Sequence, residues 1–299
     1  MAVGDFERDT AVSRIGLARS AEPRGGPVSY AAEVSPRWRA GRGPHGGYLA
    51  AMLTRALIET VDEPARAPRS LTIHYARAPR PGPVRIETAI ERAGRSLSTL
   101  SARLEQEGAL IALALAAFSI PWSGPELADG EMPSVPGPDC KRETPAELSE
   151  RIEQGSAPQF LRQMVIQPRI GALPFSGAGG PMEVGAWLGI HDATRPIDAI
   201  SLALFSDALF SPPFGRLRGR ATSPTVDLTV HFRTRLPRPE ALDPAGLCFA
   251  RFSSRLVREG FFEEDGLLWA ADGTLLAQSR QLAILMPLDE PPRGTARRS

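Results

Sequence analysis

Two adjacent glycines, Gly46 and Gly47, follow His45 at the start of a predicted helix. The first amide N–H groups of a helix lack partners inside the helix and carry a positive partial charge, which suits a carbonyl oxygen or an oxyanion. The segment His45-Gly46-Gly47-Tyr48 is therefore a candidate for binding a carbonyl oxygen or an oxyanion. The alternative is an ordinary tight entry into the helix, without a ligand.

Asp207 is the second candidate, because its surroundings are apolar. A helix predicted over Ile197–Phe210 places Asp207 between Ile200 and Leu204, on the face that should be buried. A lone carboxylate there is costly unless it is hydrogen-bonded or functional, and a position near the helix C-terminus disfavours negative charge. The alternative is a helix that ends early and leaves Asp207 exposed at its end.

Thr225 and Gln281 stand in two strand patterns, SPTVDLTVHF and LAQSRQLAIL. Strict alternation places Thr225 on the face opposite Val226 and Leu228. Threonine is common in strands, so Thr225 alone indicates no function. A glutamine inside an apolar strand needs hydrogen-bond partners, although water would serve at a sheet edge.

Several other chemistries lack a motif in this sequence. Cys140 and Cys248 have no metal or redox spacing, and no HExxH, CxxC or GxSxG motif is present. His74 and His231 occupy matching strand positions, which indicates a structural role, and His191 lies in a predicted loop. We therefore expect no metal and no cofactor.

The composition, 42% hydrophobic and 23% charged, is that of a globular protein, and a net charge of +1 favours neither nucleic acid nor acidic membranes. There is no apolar stretch long enough for a membrane span and no signal-peptide pattern, so we expect a cytoplasmic protein. The sequence does not define the oligomeric state, and a homo-oligomer is one alternative.

The two halves of the chain resemble each other. The segment SLTIHYARAP begins at Ser70 and DLTVHFRTRLP at Asp227, 157 residues later. Strand patterns also flank Glu107-Gly108 and Asp272-Gly273, two hairpin signals 165 residues apart. A longer loop over 238–245 would account for the difference in offset. Each half also has an amphipathic helix, predicted over Gly46–Thr60 and Ile197–Phe210, before its main strands.

This pattern predicts an α+β fold of two tandem hotdog domains, in which a long antiparallel sheet wraps around a central helix. We expect an N-terminal domain over 1–125, a linker with a short helix over 126–158, a C-terminal domain over 159–290 and a disordered tail over 291–299. The linker helix would begin at a capping box, Thr144-Pro145-Ala146-Glu147.

The sequence resembles the type II, or TesB-like, acyl-CoA thioesterases of the double-hotdog class. The resemblance rests on GPHGGYLAAMLTRA and SLTIHYARAPRPGPV in the first half, and on LALFSDALF, SPTVDLTVHFR and LLAQSRQLAIL in the second. It implies that Asp207, Thr225 and Gln281 hold and activate the attacking water. This chain departs from the family at His45 and Tyr48, where a Phe and a Gln commonly flank the glycines.

The resemblance implies hydrolysis of a fatty-acyl-CoA, with Asp207 as general base and the amide of Gly47 or Tyr48 polarising the thioester carbonyl. A hotdog enoyl-thioester hydratase or dehydratase, with His45 in its acid–base pair, is one alternative. A non-catalytic acyl-thioester binding protein is another.

Overall fold

The computed structural model describes residues 5–16, 26–41, 43–139, 150, 153–154, 158–191, 196–238 and 246–288. The capping box of the predicted linker helix at Thr144 and the predicted tail lie outside these residues, as does most of the predicted loop over 238–245. Glu150 and Glu153, near the end of that predicted helix, are helical. No helix of the described part is long and apolar enough to cross a membrane.

The described chain forms three α-helices and seventeen strands. The helices are α1 (Asp5–Asp9), α2 (Gly46–Val61) and α3 (Ala199–Phe205). The strands of the first half are β1 (Val12–Ile15), β2 (Val28–Val34), β3 (Arg39–Ala40), β4 (Gly43–Pro44), β5 (Ala67–Tyr75), β6 (Gly82–Ala93), β7 (Leu97–Gln106) and β8 (Ala109–Ser119). Those of the second are β9 (Met164–Ile170), β10 (Met182–Ile190), β11 (Ala221–Thr222), β12 (Thr225–Phe232), β13 (Cys248–Ser254), β14 (Val257–Arg258), β15 (Phe261–Trp269), β16 (Leu275–Ile284) and β17 (Met286–Pro287).

One antiparallel sheet of thirteen strands runs through both halves, in the order β1-β2-β6-β7-β8-β5-β12-β16-β15-β13-β10-β9, with β14 paired to β15. The strand order is symmetric: the order β1-β2-β6-β7-β8-β5 from one edge corresponds to β9-β10-β13-β15-β16-β12 from the other. At the centre, β5 pairs with β12. This order is consistent with the tandem arrangement. The helix of each half is preceded by two strands of the sheet, β1 and β2 or β9 and β10, which the sequence patterns did not predict.

The central strand pair confirms the sequence repeat. Thr72 is directly opposite Thr229, and the two hydroxyl oxygens are 3.1 Å apart. These residues are 157 positions apart, as the two segments predicted. Since the register is symmetric about this pair, β5 and β12 are equivalent strands of the two halves.

The predicted hairpins are also present. Glu107 and Gly108 join β7 to β8, and both have positive φ (51° and 75°), which is the two-residue turn that fits the twist of paired strands. Gly273 has φ 85° between β15 and β16. The expected turn chemistry therefore fixes the register of both hairpins.

The two helices match their predictions to different degrees. Helix α2 covers the predicted range, and it packs against α3 and against β5, β6, β7 and β8. Helix α3 begins at the N-cap Asp198, which forms a capping box with Ser201, and ends at Phe205, so the predicted end at Phe210 is wrong. Beyond it the amide of Asp207 bonds to the carbonyl of Leu204 in a tighter turn, and two prolines follow from Pro212.

Candidate active site

Asp207 lies just beyond the end of α3, two residues after Phe205. The predicted position inside a helix is therefore wrong, and the early helix end is the alternative that the structure supports. The side chain is nevertheless only 14% exposed, so the early end does not release it to solvent. Its burial comes from the approach of α3 to the N-terminus of α2.

The Asp207 carboxylate faces the first turn of α2. Its Oδ2 accepts a hydrogen bond from the amide of Gly47 at 2.9 Å, across the boundary between the two halves. The N-terminal end of a 16-residue helix favours a negative charge at this place. Within the described part of the chain, Oδ1 has no hydrogen-bond partner.

Gly46 and Gly47 are required for this close approach. A Cβ atom on Gly47 would lie 2.3 Å from the carbonyl oxygen of Leu204, and one on Gly46 would lie 2.8 Å from Oδ2 of Asp207. The glycines therefore let α2 meet α3 and the carboxylate. The expectation that the amide of Gly47 or Tyr48 is open to a substrate carbonyl is wrong here, since these amides donate to Asp207 and to His45.

His45 caps α2 and is buried, at 3% exposure. Its Nδ1 accepts from the amide of Tyr48 at 3.2 Å, and its Nε2 lies 2.6 Å from the backbone oxygen of Asp207. Burial lowers the pKa of His45, although the nearby Asp207 opposes this shift, so the ring is neutral with its proton on Nε2. His45 therefore fixes the backbone of Asp207.

The side chain of Tyr48 is part of the core. It is 0% exposed and stacks on Trp38 with the ring centroids 5.2 Å apart. Its hydroxyl donates to the backbone oxygens of Asp9 (2.7 Å) and Glu33 (3.0 Å). The side chain is thus used to attach the N-terminal helix α1 to α2.

Thr225 and Gln281 are in direct contact, because the hydroxyl of Thr225 donates to Oε1 of Gln281 at 2.9 Å. Strict alternation had placed Thr225 on the face opposite Leu228, and this is wrong. A β-bulge between Thr225 and Asp227 adds one residue to β12, which turns Thr225 to the same face as Leu228, the residue opposite Gln281.

Glu264 on β15 extends this pair and was missed by the sequence reasoning. Gln281 Nε2 donates to Glu264 Oε1 at 2.6 Å, and both side chains are buried. Burial and then the Asp207 carboxylate raise the pKa of Glu264, the bond from Gln281 opposes both effects, and the net result is a pKa of about 8. The strand segment FFEEDGLLW contains three consecutive acidic residues. Because successive side chains of a strand point to opposite faces, the middle residue, Glu264, must lie on the other face from its two neighbours, and this was the available signal.

The three predicted catalytic residues therefore form two groups. Thr225 and Gln281 are linked directly, whereas Asp207 is held by α2 and acts on Glu264 through its charge. No hydrogen bond within the described residues joins Asp207 to Thr225 or Gln281. Tyr75, whose hydroxyl donates to the Gly46 carbonyl at 2.9 Å, lies beside the same carboxylate, and burial raises its pKa well above the usual value.

An apolar pocket is lined in part by the segment that follows Asp207, although Asp207 itself is not among its lining residues. The three residues after Asp207 line it, as does Phe160, whose ring stacks on His45 at 4.2 Å. Every lining side chain is apolar: Phe160, Leu161, Ile166, Pro168, Ile170, Gly171, Ala172, Leu173, Pro174, Val184, Gly185, Ala186, Ala208, Leu209 and Phe210. The pocket is thus suited to a hydrocarbon group.

Comparison with solved structures identifies the class of fold. A hotdog protein of unknown function from Alicyclobacillus acidocaldarius superposes with a TM-score of 0.75 at 22% identity, over 95% of this chain and 98% of that one. The acyl-CoA thioesterase II TesB2 of Mycobacterium marinum superposes with a TM-score of 0.69 at 18% identity, over 96% and 99% of the two chains. The chain therefore has a hotdog fold.

The family follows from the sequence. Residues 34–119 match the acyl-CoA thioesterase N-terminal domain, and residues 133–285 match the acyl-CoA thioesterase C-terminal domain. The chain belongs to this TesB-like acyl-CoA thioesterase family. Among its relatives is the uncharacterized protein Rv0499 of Mycobacterium tuberculosis, 25% identical in an alignment of 285 residues that covers 86% of this chain and 90% of the relative.

Proposed function

We propose that this protein hydrolyses fatty-acyl-CoA to a free acid and CoA with a water molecule activated at Asp207. The observation that carries the proposal is the placement of the Asp207 carboxylate, which is held by the N-terminus of α2, while the three residues that follow it line an apolar pocket. Family membership supports acyl-CoA as the substrate. We also propose that both domains are hotdog domains in which the sheet wraps around the helix, with domain boundaries near residues 125 and 158. The proposed location is the cytoplasm.

The proposed roles follow from the hydrogen bonds of each group. Asp207 Oδ1 takes a proton from water as the water oxygen attacks the thioester carbon, and the C–S bond then breaks while the proton passes to the departing thiolate. Because Thr225 donates its own proton to Gln281, its oxygen is left to accept from the water. Gln281 has a second Nε2–H besides the one given to Glu264.

The carbonyl donor is reassigned in this proposal. Among the first-turn amides of α2, those of Gly47 and Tyr48 are already bonded, and that of Gly46 has no partner among the described residues. We assign the Gly46 amide to the thioester carbonyl, at the positive end of the helix. A thioester is already activated, so the step needs no metal or cofactor, and hydrolysis should survive chelation.

The buried state of His45 argues against the hydratase alternative. An acid–base histidine must exchange protons with a substrate, whereas both ring nitrogens of His45 are engaged by the protein. A non-catalytic binding protein would not require the hydrogen-bonded Thr225–Gln281 pair.

A panel of thioesters separates the three functions. The protein is mixed with saturated acyl-CoAs of increasing chain length and with an enoyl-CoA, while thiol release and loss of the enoyl absorbance are followed in parallel. Thiol release from the saturated substrates is expected. Loss of the enoyl absorbance without thiol would identify a hydratase, and saturable binding without either change would identify a binding protein.

A further inference from the structure

Glu264 is a buried acidic group without an assigned role. It is 3% exposed, its Oε1 accepts from Gln281, and its Oε2 is buried without a hydrogen-bond partner. Glu264 and Gln281 are directly opposite each other in the pairing of β15 with β16. They therefore share the inner face of the sheet, the face that carries Leu228.

The other half of the chain shows that the fold does not need a carboxyl group at this position. In the symmetric register, the row Leu228–Gln281–Glu264 corresponds to Leu71–Ala116–Leu100 of the first half. The equivalent row there is entirely apolar. Burying a polar pair has a free-energy cost that apolar residues avoid, so a purely structural role does not account for Glu264.

The contact with Glu264 determines how the Gln281 amide is turned. Because Nε2 donates to Glu264 at 2.6 Å, Oε1 points away from Glu264 and accepts from Thr225. We propose that Glu264 is a positioning residue of the hydrolysis site, whose carboxyl group holds the Gln281 amide so that Thr225 and Gln281 present a fixed pair to the attacking water. This inference rests on the proposed function.

The charge state of Glu264 agrees with this role. Burial and the Asp207 carboxylate raise its pKa to about 8, so the group is neutral near pH 7. A neutral carboxyl accepts from Gln281 without placing a second negative charge beside the base. Glutamine has the same shape and keeps the accepting oxygen, whereas leucine reproduces the residue of the first half.

The test compares Glu264→Leu with Glu264→Gln on the acyl-CoA that the wild-type protein hydrolyses fastest. We expect Glu264→Leu to lower kcat about 10-fold or more with KM changed less than about 2-fold, because the fixed water site matters in the transition state. Glu264→Gln should retain kcat within about 3-fold. Glu263→Leu, on the opposite face of β15, is the matched control.

The Gln281→Ala background adds an independent measurement. There Glu264→Leu should lower kcat no further, because no amide remains to be held. Wild-type kcat in folded Glu264→Leu, or equal losses in Glu264→Leu and Glu264→Gln, would overturn the inference and leave the thioesterase proposal standing. If Glu264→Leu does not fold, Glu264→Asp is used in its place in both comparisons, because aspartate withdraws the carboxyl group by one methylene. Absence of turnover in the wild type would instead overturn both.

Discussion

Replacement of Glu264 by glutamine should make the stability of the protein less dependent on pH. Glu264 is buried, and burial followed by the nearby Asp207 carboxylate raises its pKa from an ordinary 4.5 to about 8. Among the described residues, Asp207 is the charged group that acts on it, since its neighbour on β16 is the uncharged Gln281. Glutamine keeps the hydrogen bond from Gln281 and removes the titration.

The sign and magnitude follow from proton linkage. Below pH 4.5 Glu264 is protonated in both the folded and the unfolded chain, so it adds no pH dependence. Between pH 4.5 and about pH 8 the unfolded chain releases the proton and the folded chain keeps it, so each pH unit lowers the free energy of unfolding by about 1.4 kcal/mol. The free energy of unfolding of the wild-type protein is therefore about 3 kcal/mol lower at pH 7 than at pH 4.5 because of Glu264, and Glu264→Gln does not show this decrease.

Urea unfolding at a series of pH values from 4.5 to 8 measures this difference. The free energy of unfolding of Glu264→Gln minus that of the wild type should increase by about 3 kcal/mol from pH 4.5 to pH 7. Glu263→Gln, from the opposite face of the same strand, controls for loss of a carboxyl group. A difference for Glu264→Gln that stays constant across the series would show that Glu264 is not held neutral, and would refute the reasoning.

Three further predictions concern the site. Thr225→Val and Gln281→Ala should each lower kcat by roughly 10- to 1000-fold with little change in KM, measured by steady-state kinetics. An effect confined to KM would place these residues in substrate contact instead. Leu173→Asp, at an exposed position of the pocket lining (55% exposed), should raise KM for long acyl chains and spare short ones, whereas Leu256→Asp at 48% exposure outside the pocket should change neither. Because the counterparts of Gln281 and Glu264 in the first half are Ala116 and Leu100, titration with a non-hydrolysable acyl-CoA analogue should give one binding equivalent per chain. Two equal sites would contradict this expectation.

The repeat predicted the sheet well because strand register is fixed by short-range signals. The offset of 157 is confirmed at Thr72 and Thr229, and the β-bulge recurs in the first half between Pro68 and Ser70. That recurrence makes Pro68 the counterpart of Thr225, as the offset implied. The bulge itself was not predicted, because an extra residue leaves no mark in an alternating pattern.

The helix pair was harder to predict, because burial there depends on contacts between the halves. Matching the apolar stripes of the two predicted helices, Leu49 with Ile200, pairs Asp207 with Ala56. Matching the observed N-caps, His45 with Asp198, pairs it with Thr54 instead. Neither counterpart has a carboxylate. The hydroxyl of Thr54 donates to the backbone oxygen of Ala50 within α2. The role of the glycines was misread for the same reason, since the approach of Leu204 is invisible in the sequence.

Replacement of Asp207 by asparagine tests the central claim most directly. Asparagine keeps an oxygen that can accept from the Gly47 amide, so the fold and the thermal unfolding midpoint should be preserved. The variant cannot take a proton from water, and kcat for acyl-CoA hydrolysis should fall at least about 100-fold. A folded Asp207→Asn variant that keeps most of the wild-type kcat would contradict the assignment of Asp207 as the base.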